Sequence, residues 1–241
     1  KKEGFKIGHI EAGMRSYDNR MLEEINRKVC DHVSDFLFVY HENYKQKALR
    51  EGINEESIFV VGNTIVEPLL SINDWCPQQG PKHITMDIHR PENFNDKRRM
   101  LKIVEFANYC ISSTGFPVKM LSFPRTVSKI KQFEIDIGRI DLVSLMGYKD
   151  FVRHQKNSKF IISDSGTAQE EPALLGIPVV VPRDFTERPE SIEHKNSIMF
   201  RMYSNFDETI GWAMQEHSEM DTNWLGDGTA SSKIVSILKE K

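Results

Sequence analysis

Short apolar runs alternate with segments of helical periodicity along this chain, and that alternation constrains its fold more than any other feature. Apolar residues recur at helical spacing through 25–36 and again through 100–111. Eight apolar runs, most of them rich in Val, Ile or Phe, are predicted to be buried parallel strands. These runs are 6–10, 36–40, 58–61, 84–89, 118–122, 142–145, 160–163 and 179–181. The repeated order of strand, helix and strand predicts a doubly wound α/β fold with right-handed crossovers.

Composition and charge exclude several classes of protein. With 39% hydrophobic and 10% aromatic residues, the 241-residue chain can fill a core, so wholesale disorder is excluded. No run of about 18 apolar residues occurs, and no transmembrane helix is therefore predicted. The 32 Lys and Arg residues nearly balance the 35 Asp and Glu residues, which gives no global electrostatic reason to bind nucleic acid. Cys30, Cys76 and Cys110 form neither a zinc motif nor a disulfide framework, which indicates reduced thiols in a cytosolic protein.

One stretch of the chain is typical of a linker between domains. Residues 73–81 contain two prolines and a glycine, and they separate three β/α units from those that follow. A second break at 221–231 precedes a last amphipathic helix. The sequence therefore predicts two domains joined by 73–81.

Ligands of open α/β sheets bind at the carboxyl ends of the strands, and a polar turn follows the seventh predicted strand. Ser165, Gly166 and Thr167 lie between that strand and a predicted helix, where backbone N–H groups can bind a phosphate. An ordinary helix cap is equally compatible, because Thr167 and Glu170 match a capping box. Glu171 could accept the hydroxyls of a ribose, or it could be a surface carboxylate at a helix start.

Basic residues follow two other strands. His89 ends the fourth predicted strand, a position suited to acid–base or phosphate chemistry, although a single His is often structural. Its neighbour Arg90 favours a phosphate site, because a guanidinium binds phosphate with two hydrogen bonds. Arg188 lies in a charged loop after the eighth strand, which could clamp a phosphate or simply form solvated ion pairs.

Carboxylates cluster near the start of the chain. Glu11, Glu23 and Glu24 could divide into acid and base according to their environments. Alternatively, Glu23 and Glu24 only begin a helix, where acidic residues are favoured. The chain has no HExxH, paired CxxC or DxDxDG motif, so no metal site is predicted.

Several motifs occur together in one order, and their combination resembles a known family, the non-hydrolysing UDP-N-acetylglucosamine 2-epimerases of bacteria and archaea. The resemblance runs over essentially the whole chain. The matching stretches are HIEAGMRS at 9–16, EEINR at 23–27, IFVVGNT at 58–64, IHRPEN at 88–93, SDSGTAQEEPALLGIPVVVPRD at 163–184 and TERPE at 186–190.

The resemblance implies a GT-B-like α/β fold of two Rossmann-like doubly wound domains that face each other across a cleft, the first one incomplete. Family members begin with earlier β/α units, so the front part of that domain is expected to be absent. The expected segments are the rear half of the N-terminal domain at 1–72, the linker at 73–81, a UDP-binding domain at 82–225, and a helix at 226–241 that packs back toward the N-terminal domain.

The implied reaction interconverts UDP-GlcNAc and UDP-ManNAc. UDP is eliminated to give 2-acetamidoglucal and then adds back, and neither nicotinamide nor a metal is required. The expected partner is a UDP-sugar, with no nucleic acid and no membrane. The family also implies a cytoplasmic enzyme of surface polysaccharide synthesis that is a homodimer when full length.

The resemblance also assigns roles to individual residues. Glu11 and Glu23 match carboxylates of proton transfer or sugar positioning, and His89 matches a residue near the phosphates and the glycosidic oxygen. The expected substrate-binding residues are Arg90, Phe151 near the uracil, the diphosphate-binding turn of Ser165, Gly166 and Thr167, the ribose-binding Glu171, and the phosphate-clamping Arg188.

Three positions depart from the family pattern. Leu22 replaces a proline, Thr167 replaces the second glycine of DSGG, and Ser122 replaces a histidine that belongs to an activator-binding region. Ser122 bears on activation by UDP-GlcNAc, and Thr167 bears on which UDP-2-acetamido sugar is the substrate. A catalytically incomplete UDP-sugar-binding chain and a GT-B glycosyltransferase are the alternative functions.

Overall fold

Two parallel β-sheets organise the chain, each in its own unit. A computed structural model describes residues 3–72, 80–217 and 220–241. Unit 1 comprises Lys1–Asn73 and Thr222–Lys241, and unit 2 comprises Asp74–Asp221. Most of the predicted linker, including Cys76, lies outside the described residues.

Unit 1 contains a three-stranded parallel sheet of order β1-β2-β3. Its elements within the first 72 residues are β1 (Gly8–Ile10), α1 (Leu22–Val33), β2 (Phe36–Val39), α2 (Glu42–Arg50), β3 (Ile58–Val60) and α3 (Val66–Leu70). A single 3-10 turn, Glu55–Ser57, precedes β3.

Unit 2 contains a six-stranded parallel sheet of order β6-β5-β4-β7-β8-β9. The chain runs outward from β4 to β6 and then returns to place β7 on the other side of β4, so a topological switch point lies between β4 and β7. Its elements are β4 (His83–Asp87), α4 (Pro91–Phe94), α5 (Lys97–Thr114), β5 (Val118–Leu121), α6 (Pro124–Gln132), β6 (Asp141–Val143), α7 (Tyr148–Lys156), β7 (Ser158–Ser163), α8 (Glu171–Leu174), β8 (Val179–Val181), α9 (Pro189–Glu193), β9 (Ser197–Met199) and α10 (Phe206–Ala213).

The C-terminal residues group with unit 1. A 3-10 turn, Asn223–Leu225, is followed by α11 (Ala230–Glu240). The Asn63 N–H donates to the Leu225 carbonyl at 2.8 Å, and the Ser231 N–H donates to Glu67 Oε1 at 2.8 Å. These bonds correct the predicted end of the second domain, because residues 222–225 belong to unit 1 and not to the segment that precedes them.

The strand predictions agree with the structure apart from their ends. All eight predicted strands are present, and the described parts of the chain contain β9 in addition. The helix through 100–111 is also present as α5, where Met100, Ile103 and Ala107 are almost completely buried. Asp96 caps its first turn by accepting hydrogen bonds from two backbone N–H groups.

The helix indicated by the apolar spacing of 25–36 is present as α1, but its apolar positions are exposed. Ile25, Val29 and Val33 are exposed by 45%, 58% and 43%. The buried side chains of α1 are instead polar, namely Glu24, Arg27 and Asp31. The periodicity located the helix, but specific polar partners determine which face is buried.

Within the described residues, no helix combines the length and the apolar character needed to cross a membrane.

Candidate functional site

The carboxyl ends of β4 and β7 lie side by side at the switch point of unit 2. The strands are parallel, and their register pairs Asp87 with Ser163. His89 and Ser165 each follow two residues after this pair. The topology therefore brings together two of the predicted site residues from distant parts of the chain, at the position where open α/β sheets bind ligands.

His89 is held by two carboxylates. Its Nδ1 lies 2.9 Å from Asp87 Oδ1 and 3.6 Å from Asp164 Oδ1, and its ring centroid lies 5.0 Å from that of Phe123. Burial disfavours the charged imidazole, but the hydrogen bond to Asp87 and both carboxylate charges raise the pKa of His89 above its ordinary value. The side chain stays 31% exposed, so a ligand can reach it.

Asp164 fixes the backbone of the loop that carries His89. Its carboxylate accepts hydrogen bonds from the His89 N–H at 3.0 Å, the Arg90 N–H at 3.1 Å and Asn93 Nδ2 at 2.8 Å. Complete burial raises the pKa of this carboxyl group, and the charge of His89 opposes that rise. Arg90 itself is partly buried beside this loop.

Sequence reasoning missed Asp87 and Asp164 as members of the site. Each is an acidic residue at the end of a buried apolar strand, and that position is the pattern that could have found them.

One donor atom from each of Asp87, His89 and Asp164 lies within 4.8 Å of the others. This spacing could hold a cation, but Nδ1 of His89 and both oxygens of Asp164 already take part in hydrogen bonds.

The predicted phosphate turn is compact. The Ser165 N–H donates to Ser163 Oγ at 3.1 Å, and the hydroxyls of Ser165 and Thr167 lie 3.1 Å apart. A Cβ on Gly166 would overlap the guanidinium of Arg188, so any larger residue here would force the Arg188 side chain to move. The turn continues into a 3-10 turn, Thr167–Gln169, and then into the four-residue α8.

The capping box considered for this turn does not form. No side chain caps Thr167–Gln169, and Glu170 instead accepts a hydrogen bond from Arg188 Nε at 2.6 Å. The expectation of a full helix here is also corrected, because α8 is too short to provide a strong macrodipole. Anion binding at this turn would depend on individual N–H groups and nearby cations.

Arg188 lies in a buried ion-pair network. Its Nε and Nη1 atoms contact Glu170 at 2.6 Å and Glu187 at 2.5 Å, and Arg183 contacts the other oxygen of Glu187 at 3.1 Å. All four side chains are almost completely buried. The alternative of a solvated ion-pair loop is therefore wrong.

Glu171 is buried, which overturns the alternative of a surface carboxylate. It is 4% exposed, and this burial raises the pKa of its carboxyl group. Hydrogen bonds from Tyr148 and Gln155 oppose the rise. Burial and the negative charge of Glu171 together raise the pKa of Tyr148. Phe151 lies one turn after Tyr148 on α7 and is half-buried.

Unit 1 carries the remaining predicted residues. Glu11 follows β1 with a φ of 70°, a left-handed conformation that is strained for a non-glycine residue, and its Oε1 lies 3.0 Å from Arg27 Nη2. Glu23 is the second residue of α1 and is half-buried. Glu24 is fully buried and accepts a hydrogen bond from the Ser16 N–H at 2.7 Å, which makes it structural.

A family model described as UDP-N-acetylglucosamine 2-epimerase matches residues 1–239. The chain belongs to this family. The UDP-N-acetylglucosamine 2-epimerase of Methanocaldococcus jannaschii is 34% identical over 252 residues, which cover 96% of this chain and 68% of that protein. A protein of the same name from Methanococcus maripaludis is 32% identical, covering 98% of this chain and 69% of the relative.

Solved structures of epimerases agree with this assignment. The M. jannaschii UDP-GlcNAc 2-epimerase in complex with UDP-GlcNAc and UDP has a TM-score of 0.90 and 32% identity, covering 100% of this chain and 70% of that one. The Neisseria meningitidis UDP-GlcNAc 2-epimerase bound to UDP-GlcNAc has a TM-score of 0.83 and 25% identity, covering 100% and 71%. The predicted family and the predicted GT-B-like α/β fold class are confirmed.

Proposed function

We propose that this protein is a non-hydrolysing UDP-N-acetylglucosamine 2-epimerase that interconverts UDP-GlcNAc and UDP-ManNAc. The observation that supports the proposal is that His89 and the Ser165–Gly166 turn follow neighbouring strand ends at the switch point, in a chain of the epimerase family. The M. jannaschii relative was solved with UDP-GlcNAc and UDP, which supports the same ligands here.

The diphosphate is proposed to bind at the turn of Ser165, Gly166 and Thr167. Glycine leaves the backbone accessible to a phosphate, and hydroxyls of the flanking residues lie 3.1 Å apart on the same turn. The guanidinium of Arg188 packs against Gly166, so its positive charge lies beside the turn. Arg90 supplies a second positive charge beside His89.

The nucleoside is proposed to bind through α7 and α8. Glu171 has a carboxylate that can accept both hydroxyls of a ribose, and Tyr148 and Gln155 hold it in place. The exposed part of Phe151, on the same helix as Tyr148, offers an aromatic face for the uracil.

The chemistry is proposed to avoid direct removal of a barely acidic C2 proton from the intact sugar nucleotide. The C1–O bond breaks, UDP leaves with the electron pair, and a carboxylate takes the C2 proton, which gives 2-acetamidoglucal. UDP then adds back to C1 while a proton reaches the opposite face of C2. Protonated His89 stabilises the negative charge that develops on the leaving oxygen, and Glu11 and Glu23 transfer protons or position the sugar.

We also infer a cytoplasmic location and a role in supplying surface polysaccharide precursors. The described cysteines, Cys30 and Cys110, are free thiols, which supports a reducing compartment. A homodimer of the full-length protein stays a prediction from the family.

The decisive experiment is incubation with UDP-GlcNAc in D2O without added NAD or metal. We expect UDP-ManNAc to form, with deuterium at C2 detected by NMR and mass spectrometry. The Glu23→Gln variant should lose most of this activity, whereas the matched variant Glu56→Gln, at an exposed position of the same unit, should retain it.

Product without deuterium at C2 would overturn the elimination mechanism. UDP binding by calorimetry without any turnover would instead favour a UDP-sugar-binding chain. Turnover only of another UDP-2-acetamido sugar, assayed in parallel, would reassign the substrate and keep the reaction class.

A further inference from the structure

A continuous hydrogen-bond chain connects the proposed phosphate turn to His89. The Ser165 N–H donates to Ser163 Oγ at 3.1 Å, and the Ser163 hydroxyl donates to Asp87 Oδ2 at 3.1 Å. The other oxygen of Asp87 lies 2.9 Å from His89 Nδ1. Ser163 and Asp87 are both buried, so water does not compete strongly for these bonds.

The chain leaves one ring nitrogen of His89 available. Because Nδ1 points at a carboxylate, it must carry a proton, and the neutral ring then has its lone pair on Nε2. Among the described residues, Nε2 of His89 makes no hydrogen bond. A protonated His89 therefore presents an Nε2–H donor to a ligand.

We propose that Asp87, supported by Ser163, is a positioning residue for the epimerase reaction. It fixes His89 with the proton on Nδ1, aims Nε2 at the leaving diphosphate, and stabilises the imidazolium that assists departure of UDP. This inference rests on the proposed function, and Asp87 lies outside the stretch IHRPEN at 88–93 that matches the family.

The charges that face His89 are Asp87 on β4, Asp164 after β7 and Arg90 on the same loop, while the ring of Phe123 before α6 is uncharged. Both carboxylates favour the charged imidazole, and burial and Arg90 oppose it. Asp164 is already committed to three N–H donors and lies 3.6 Å away. Asp87 makes the direct bond, so its removal should have the larger effect.

Removal of the Asp87 charge should lower the pKa of His89, because burial and the positive charge of Arg90 still disfavour the charged imidazole. A reaction that needs the imidazolium slows as the pH rises through that pKa. The alkaline limb of the kcat profile should therefore move to lower pH in a variant without this charge.

The test combines NMR titration of the His89 imidazole with pH profiles of kcat and KM. Asp87→Asn retains the size of the side chain and removes its charge, and Ser163→Ala removes its support. Asp141→Asn, an exposed acidic position in the same unit, is the matched control. The 15N shifts of the ring nitrogens, assigned with a His89→Gln variant, report which nitrogen carries the proton.

We expect Asp87→Asn to lower the His89 pKa by about one unit or more, as loss of an adjacent opposite charge does. The alkaline limb of kcat should move by the same amount, while KM changes less. Ser163→Ala removes one hydrogen bond from Asp87 and keeps its charge, so it should shift the titration by less than Asp87→Asn does, and Asp141→Asn should give no shift. In the unaltered protein, the 15N shifts should show Nδ1 as the protonated nitrogen of the neutral ring.

An unchanged His89 titration in Asp87→Asn would overturn the proposal, and so would a neutral ring protonated on Nε2. Loss of the His89 resonance on adding Mn²⁺, abolished by Asp87→Asn, would make Asp87 a cation ligand instead. The titration needs no turnover. An unaltered protein without epimerase activity would therefore refute the proposed function, and the His89 titration in Asp87→Asn would still decide whether Asp87 positions the ring.

Discussion

Helices α1 and α5 have similar apolar spacing in the sequence and opposite burial in the structure. Helix α5 buries Met100, Ile103 and Val104 in the core of unit 2. Helix α1 exposes Val29 by 58% and buries Arg27 and Asp31. Periodicity therefore indicates that a helix is amphipathic, but partners elsewhere in the chain determine which face is covered.

The contacts of Asp31 explain why α1 buries its polar face. Asp31 lies 2.6 Å from both Arg15 Nη2 and His9 Nδ1, and it accepts a hydrogen bond from the Gly13 N–H at 3.1 Å. Arg15 is itself fully buried and also contacts Glu51 at 2.6 Å. The polar face of α1 is thus part of a charged interior, whereas α5 faces an apolar one.

The largest effect is expected from breaking that charged interior. Asp31→Ala removes one of the two carboxylates that bind the buried Arg15 guanidinium, together with the acceptor of the Gly13 N–H and the partner of His9. Breaking this buried network should cost about 3–5 kcal/mol in the free energy of unfolding. Urea denaturation followed by peptide-resolved hydrogen exchange would measure this loss for unit 1 separately from unit 2.

Glu56→Ala, at an exposed position of unit 1, is the control and should change stability by less than about 0.5 kcal/mol. An equally small change for Asp31→Ala would show that Glu51 alone satisfies Arg15, and that the Asp31 contacts do not stabilise the interior of unit 1.

The same contrast shows how far the sequence predicts the fold and the site. Apolar runs located eight strands, and β9 was missed because it is a three-residue edge strand that begins with Ser197. His89 and Ser165 were predicted because both follow strand ends. Asp87 was missed because its partner Ser163 is 76 residues away and becomes a neighbour only when β4 pairs with β7.

Lowering the pH should have a smaller effect on the stability of unit 1 than Asp31→Ala. Burial works against ionisation of Asp31, but hydrogen bonds from His9 and Arg15 lower the pKa of its carboxyl group below the ordinary value. Because the folded pKa is depressed, this stabilisation is fully present above the unfolded pKa of about 4 and is lost as the pH falls through the folded pKa.

Hydrogen exchange of unit 1 between pH 7 and pH 3 should therefore show destabilisation that begins near the unfolded value. Asp31→Asn, which cannot ionise, should reduce this dependence relative to the unaltered protein. An identical pH dependence in both would assign the acid sensitivity of unit 1 to other carboxylates.

The smallest effect is expected on the exposed face of α1, where a matched pair of substitutions tests the comparison directly. Val29→Ala removes two methyl groups from a side chain that is 58% exposed, and Val104→Ala removes the same groups from one that is 3% exposed. Val104→Ala should cost about 2 kcal/mol through lost burial and a cavity in α5. Val29→Ala should change stability by less than about 0.5 kcal/mol, since alanine also has the higher helix propensity.

If urea denaturation gave equal losses of stability for Val29→Ala and Val104→Ala, the apolar face of α1 would have to be covered in solution. Sedimentation of both variants would then show whether a second copy of the chain covers it.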